Sequence, residues 1–464
     1  MEFKLDLESI KKDYKYKTEE NIIANKFNLT HSQCNRLRLL PYAANDKKIV
    51  LNFEGVIGEL SRIICDKKLK NKFNVDEFIE NVSEEIEEFK GENSKQIFKE
   101  IIKTIFVKND KLTDFNIKTM NYVVSDNSEE KYAMFLFSIF FDEEIKKSIK
   151  ECYMKKEENI LNRLVLKALS ELINEKYSIK EYKCYIPYIK EVFKKDVLYL
   201  IRDEELYKDS IKRLLEYYNF FYVSQLCFKL NEFENAEIDK IEPLYFTLSW
   251  ETTSKNRTAY KFGYEKLKDS MKSLFSHAIT LELLNHNNLN KQLGYRELVD
   301  LLSVDVNNNV SEEIKELIKS YKERVCDKNW SEFRYIKKSE DKVIDAIHEL
   351  FETIEFQFVN SGRSRAYEAY RNWFKRFVEE NFGKRRGALG YNLNLTEEDI
   401  ILLTKICINV NEKLRVNVLF GEFEKRGVFL DRDSKNKVIQ LYEKLNILEK
   451  KSDSGDAQYV RSIL

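Results

Sequence analysis

Proline and glycine are scarce in this chain of 464 residues, which contains 3 Pro and 12 Gly. These residues are common in the turns of β-rich folds, so their scarcity disfavours an all-β architecture. Hydrophobic residues make up 43% of the chain and aromatic residues 13%, more than a disordered protein carries. Leu, Ile, Lys and Glu are abundant, and most of these favour helices. The composition therefore predicts a folded, mainly α-helical protein with more than one domain.

The chain also lacks net charge, closely spaced cysteines and long apolar runs. Lys plus Arg and Asp plus Glu each number 79, so any attraction to DNA must be local. The 7 cysteines are far apart in the sequence, which argues against disulfides and cysteine-based zinc sites. The longest mainly apolar run, residues 132–141, is about half as long as a bilayer span. We expect a cytoplasmic protein without an export signal or a membrane anchor.

Residues 1–180 are predicted to form an N-terminal helical domain. Apolar residues recur at helical spacing within 75–90, 94–107 and 159–176. In the last of these, Leu161, Leu164, Val165, Ala168 and Leu172 share one stripe, which indicates a helix that faces a core. The pattern predicts a structural scaffold.

Residues 181–382 are predicted to form a central, aromatic-rich helical domain. The aromatic cluster at 217–228 is typical of a buried helix, because its apolar residues lie on every side. Pro243 and the β-branched and aromatic residues after it predict a short extended segment within 241–251. The polar loop that follows, 252–257, has the side chains of a helix cap, a solvated loop or an anion site.

Residues 383–464 are predicted to comprise a basic, glycine-rich connector and a C-terminal domain, with the boundary near 383–392. Residues 361–464 contain 20 Lys plus Arg against 15 Asp plus Glu. The excess lies in 361–395, with 8 against 3, whereas 396–464 is balanced at 12 each. If DNA is bound, the connector is thus expected to supply most of the attraction, and the domain after it is equally suited to docking on a protein.

The last seventy residues carry three helical patterns and then a hairpin pattern. Thr396 is a cap for the first helix, Gly427 is a terminator for the second, and Asp431 is a cap for the third. Two β patterns, 447–451 and 457–463, flank a turn-rich tip. Helix, short helix, helix and hairpin is the order of a winged helix-turn-helix, so we predict a multi-helical scaffold with a C-terminal winged helix.

The third helix and the hairpin predict a DNA-binding surface. If Val438, Leu441, Tyr442 and Leu445 face the core, the polar side chains between them project outwards, where Asn and Gln can pair with adenine and Lys with phosphate. Glu443 and Glu449 lie in the same region and would repel phosphate. With the connector included, the predicted DNA-binding residues are Lys384, Arg385, Arg386, Arg432, Asn436, Lys437, Gln440, Lys444, Lys450, Lys451 and Arg461.

Catalytic signatures are absent from the sequence. It contains no phosphate loop of the form G-x-x-x-x-G-K-[ST], no H-E-x-x-H and no G-x-S-x-G, and its 4 histidines are isolated. Only Glu242, Glu251 and Lys255 form a grouping worth testing, and a structural salt bridge is the favoured interpretation. We therefore predict no catalytic residue, no metal site and no cofactor.

Several stretches resemble a known family. They are 414–420, 422–435 (EFEKRGVFLDRDSK), 445–460 (LNILEKKSDSGDAQYV), 244–251 (LYFTLSWE) and 254–257 (SKNR). Together they resemble DptG, also called DndG, the G component of bacterial DNA phosphorothioation-dependent restriction systems. The resemblance implies a subunit that works with the F and H components, which resemble ATP-using proteins, to restrict DNA that lacks phosphorothioate marks.

The resulting hypothesis is a non-enzymatic subunit of an anti-phage restriction complex that bridges its partner subunits and double-stranded DNA, without membrane contact. Two alternatives remain open. One is a metal-dependent nuclease subunit with an acidic site in the central region. The other is a stand-alone winged-helix regulator that binds one DNA sequence.

Overall fold

The computed structural model describes residues 3–41, 49–302, 309–360, 364–450 and 458–463. Over these ranges the chain is mainly α-helical, as its composition predicts, and its short strands form small sheets. Most of the buried apolar side chains belong to one continuous core that extends from the first described residues to the last strand. No helix in the described ranges is long and apolar enough to cross a membrane.

The described residues of the N-terminal part form seven α-helices and two short ribbons. The helices are α1 (Leu7–Asp13), α2 (Glu54–Cys65), α3 (Val75–Glu84), α4 (Ser94–Phe106), α5 (Asn127–Phe140), α6 (Glu143–Met154) and α7 (Ile160–Ala168). The ribbons pair β1 (Lys67–Lys68) with β4 (Ile173–Asn174) and β2 (Val107–Lys108) with β3 (Lys111–Leu112). Helices α3, α4 and α7 enclose a second, smaller apolar core.

Helix α7 is shorter than its apolar stripe predicts. The pattern at 159–176 predicts a helix that includes Leu172, but α7 ends at Ala168 and Leu169 is already extended. Strand β4 follows and pairs antiparallel with β1. The predicted extension of this helix is therefore wrong, because the ribbon supplies backbone hydrogen bonds that would otherwise come from further helical turns.

Helix α9 (Glu204–Asn231) runs through the centre of the core, and every side chain from Leu214 to Leu230 is buried. The aromatic cluster at 217–228 lies within it, so the predicted buried helix is confirmed. The other central helices are α8 (Pro187–Leu200), α10 (Thr258–Lys261), α11 (Tyr264–Ser270), α12 (Leu274–Leu284), α13 (Tyr295–Leu302), α14 (Val310–Arg324), α15 (Lys342–Val359) and α16 (Ser364–Phe382).

A four-stranded sheet joins the central and C-terminal parts of the chain. Its strand order is β6-β7-β5-β9, formed by β6 (Gly383–Arg385), β7 (Tyr391–Leu395), β5 (Tyr245–Leu248) and β9 (Phe429–Leu430). Strand β5 is the predicted extended segment and runs parallel to both β7 and β9, whereas β6 is antiparallel to β7. The segment predicted to connect two domains is therefore a hairpin within this sheet.

The C-terminal elements agree with the predicted order of three helices and a hairpin. They are α17 (Glu397–Ile408), β8 (Lys413–Arg415), α18 (Val416–Lys425), α19 (Arg432–Lys444), β10 (Leu448–Lys450) and β11 (Gln458–Arg461). Thr396 and Asp431 cap α17 and α19, and Gly427 follows α18 with φ of 81°. Strand β8, which the sequence did not predict, extends the hairpin to a sheet of order β10-β11-β8. Leu445, predicted to face the core, is 39% exposed.

Candidate nucleic-acid interface

The outward side of α19 carries the residues that the helical period assigned to it. The Asp431 carboxylate accepts the backbone N–H of Ser434 and so starts the helix, and Val438, Leu441 and Tyr442 are buried beneath it. Seven polar side chains of α19 are exposed and, at about 100° per residue, lie within one arc of about 140°. Two of them are the carboxylates Asp433 and Glu443. The other five are predicted DNA-binding residues. We call this set the α19 face: Arg432, Asn436, Lys437, Gln440 and Lys444.

The hairpin beside α19 brings further cations to the surface. Lys450 and Arg461 are exposed, and the Arg461 guanidinium donates to the carbonyl of Asn446 at 3.0 Å. Both carboxylates that were expected to repel phosphate have a lysine partner: Glu443 pairs with Lys450 and Glu449 with Lys413, each at 2.7 Å. These pairs reduce the expected repulsion. The predicted residue Lys451 lies outside the described residues.

Two of the three basic connector residues face inwards. The Lys384 ammonium donates to the carbonyl of Ser249 at 2.6 Å, and the Arg386 guanidinium donates to the carbonyls of Leu248 and Glu251 at 2.7 Å each. Burial lowers the pKa of Arg386 below its ordinary value. The sequence predicts that this segment supplies most of the attraction for DNA, but Lys384 and Arg386 are only partly exposed and use these hydrogen bonds to hold the chain that follows β5. Arg385 is exposed.

Arg257 fixes the polar loop 252–257 to the start of α19, a contact that the sequence did not predict. Its guanidinium donates to both carboxylate oxygens of Asp431, at 2.9 and 2.5 Å, and to the Ser434 hydroxyl at 2.7 Å. Burial on its own would raise the pKa of Asp431, but the hydrogen bond from Arg257 lowers it below the ordinary 3.8. The loop and α19 thus form one surface. The basic side chain that ends the polar loop was the only sequence signal for this contact.

The parallel strands end at this same surface. Strand β7 leads into the Thr396 cap of α17, β9 leads into the Asp431 cap of α19, and β5 leads into Glu251 and the loop. Ligands of parallel sheets commonly bind at the carboxyl ends of the strands. A cavity of about 430 Å³ lies here, between the loop and the first two turns of α19. A wider groove of about 720 Å³ separates α19 from α18 on the other side.

The acidic grouping that the sequence singled out consists of structural ion pairs. Glu242 pairs with Lys266 at 3.2 Å, and Glu251 pairs with Arg257 at 3.3 Å, while Lys255 is exposed on the loop. The favoured interpretation as a salt bridge is confirmed, although the partner of Glu251 is Arg257 and not Lys255. Within the described ranges, no group of three or more His, Cys, Asp or Glu residues is arranged to hold a metal ion.

The third strand of the C-terminal sheet adds a cation that the sequence pattern did not predict. Arg415 is exposed on β8, and its Nε donates to the Tyr459 hydroxyl at 3.1 Å on the neighbouring strand β11. Strand β8 has only three residues, too few for an alternating pattern to reveal it.

No family model and no curated protein matches the chain.

Proposed function

We propose that this protein is a non-catalytic subunit of a bacterial anti-phage restriction complex that depends on DNA phosphorothioation. In this proposal, residues 396–463 are a winged helix-turn-helix that contacts double-stranded DNA, and the helical body binds the F and H components. The order of the C-terminal elements and the sequence resemblance to DptG support the proposal.

The exposed chemistry of the α19 face is the observation that carries the DNA contact. Among the described residues, Arg432 and Lys444 have no ion-pair partner, so their charges can reach phosphates. Asn436 and Gln440 lie between them on the same side of the helix and match the hydrogen-bonding edge of adenine. Helix α19 has 13 residues and is about 20 Å long, a size that fits a major groove.

Charge reversal on the α19 face tests this contact. Duplex affinity is measured over a range of salt concentrations for the full chain and for the double variant Lys437→Glu, Lys444→Glu. Each lost phosphate contact is expected to reduce the slope of log K against log salt by about 0.9, since fewer counterions are then released. Pull-down of the F and H components by the same proteins tests the assembly, which this variant should retain.

The matched control is Lys103→Glu, Lys147→Glu, which makes the same change of charge on exposed residues of α4 and α6. This control should keep the wild-type slope. An identical slope for all three proteins would contradict the DNA contact through α19, and failure to capture either component would contradict membership of the complex.

A further inference from the structure

Among the described residues, the side chains that line the cavity between the polar loop and α19 are all polar. They come from Glu251, from the loop that follows it, and from the first two turns of α19. Its volume of about 430 Å³ falls within the range of about 300–1,000 Å³ that is common for small-molecule sites. A ligand that fits this cavity is therefore itself polar on most sides.

Two buried oxygen atoms of the lining have no hydrogen-bond partner among the described residues: Oε2 of Glu251 and Oγ1 of Thr253. Glu251 is only 5% exposed, and its other oxygen accepts from the backbone N–H of Leu248 and from the Ser434 hydroxyl. A buried carboxylate oxygen without a donor is unfavourable. Oε2 therefore points to a ligand that brings an O–H or N–H group into the cavity.

The charges of the lining cancel. Arg257 and Lys437 are cationic, and Glu251 and Asp433 are anionic. Glu251 and Arg257 lie inside, where they pair with each other, whereas Asp433 and Lys437 are exposed at the mouth. The inner part thus favours an uncharged group that donates hydrogen bonds. The part of the lining that the structure describes contains no aromatic side chain, so it offers no surface on which a nucleobase would stack.

We infer that this cavity binds the sugar of a nucleotide through a free hydroxyl group, which donates a hydrogen bond to Oε2 of Glu251. The Thr253 hydroxyl supplies a second hydrogen bond, and Lys437 at the mouth lies where the nucleotide's phosphate would enter. The same chemistry is offered by a free nucleotide and by the 3′ end of a DNA strand. Only the second source rests on the proposed function, in which it would let the subunit detect cut DNA.

Two pairs of probes test the inference on the full chain. Calorimetric titration compares dCMP with 2′,3′-dideoxy-CMP, which lacks the free sugar hydroxyl. A second titration compares a duplex that ends in 3′-hydroxyl groups with the same duplex ending in 3′-deoxy groups. The hydroxyl-bearing probe should bind about tenfold more tightly in at least one pair, because a hydrogen bond to a charged group is lost in the other probe.

Glu251→Gln and Thr253→Val remove the two hydrogen-bonding oxygens with little change in size. The Gln oxygen can still accept from Leu248 and Ser434, which leaves an amide N–H₂ group where Oε2 was. Both variants should bind the two probes of a pair with affinities within about twofold of each other. Glu443→Gln makes the same change at the far end of α19 and should keep the full preference. Thermal unfolding of each variant shows that it is folded.

A preference for dCMP identifies a free nucleotide as a ligand, and a preference confined to the duplexes identifies the strand end. Absence of binding in both titrations would overturn the inference, as would equal affinities within both pairs or an unchanged preference in Glu251→Gln. The mononucleotide titration does not depend on duplex binding, so its outcome is separate from that of the proposed DNA contact.

Discussion

His277 shows how burial determines the role of a single titratable residue. It is 1% exposed, and its Nε2 lies 3.1 Å from the side-chain oxygen of Asn231 while its Nδ1 lies 3.0 Å from the Tyr295 hydroxyl. The Asn231 oxygen can only accept, so we assign the imidazole proton to Nε2. Burial lowers the pKa of His277 to about 3. The residue is therefore a neutral, hydrogen-bonded part of the core.

We predict that His277→Gln reduces the sensitivity of the protein to acid. Since the pKa of His277 falls from 6.5 to about 3 on folding, the unfolded chain binds more protons between these values. Above pH 6.5 the imidazole is neutral in both states, so His277 does not reduce the free energy of unfolding. As the pH falls from 6.5 towards 3, proton binding by the unfolded chain lowers that free energy progressively. Between pH 7.5 and 5.0 the wild type should lose up to about 2 kcal/mol more than the variant. Urea unfolding at both pH values measures this difference, and an equal loss in the two proteins would refute the prediction.

Among the secondary-structure elements, α18 is anchored to the body through Arg426, the residue that follows its last turn. Arg426 is 5% exposed and donates to both carboxylate oxygens of Asp196 on α8, at 2.8 and 2.6 Å. The hydroxyl of Tyr218 on α9 donates to the same carboxylate at 2.5 Å. Next to it, a Cβ atom on Gly427 would lie 2.4 Å from the Phe221 ring, so only glycine fits. These contacts fix the C-terminal helices against the central core.

Removal of the Arg426 side chain is expected to destabilise this junction strongly. Arg426→Met leaves Asp196 buried without its cation, which should lower the free energy of unfolding by about 3–5 kcal/mol. The neighbouring Lys425 pairs with Glu422 on the surface and is the control, since Lys425→Met should change stability by less than about 1 kcal/mol. Chemical denaturation of both variants tests this expectation. Similar stabilities would show that the buried pair does not hold α18 in position.

At the scale of the whole molecule, the features that the sequence predicted correctly are those that depend on residues close together in the chain. Thr396, Gly427 and Asp431 delimit the C-terminal helices through contacts within a few residues, and the helical period assigned the α19 face. The sheet could not be predicted in this way, because its parallel pairs join residues as distant in the chain as Tyr245 and Phe429. The inward orientation of Arg386 follows from that sheet.

The same dependence on residues far apart in the chain explains why the sequence did not predict the contact between the polar loop and α19. Arg257 and Asp431 are separated by 174 residues in the chain, and no local pattern shows that they meet. Their contact makes the loop 252–257 a neighbour of α19, so DNA that lies along the α19 face would also approach this loop. The proposed recognition surface is thus formed by two distant parts of one chain. On this surface, Lys255 is exposed on the loop, and Lys437 and Lys444 are exposed on α19.

Lysine acetylation footprinting of the full chain, with and without saturating duplex DNA, tests this surface most directly. Mass spectrometry reports the reactivity of each lysine. We predict that DNA lowers the reactivity of Lys255, Lys437 and Lys444 severalfold, because bound phosphates cover their ammonium groups. Lys103 and Lys147, which are exposed on α4 and α6, should react as before. Protection of Lys103 and Lys147 with unchanged reactivity of Lys437 and Lys444 would contradict the account.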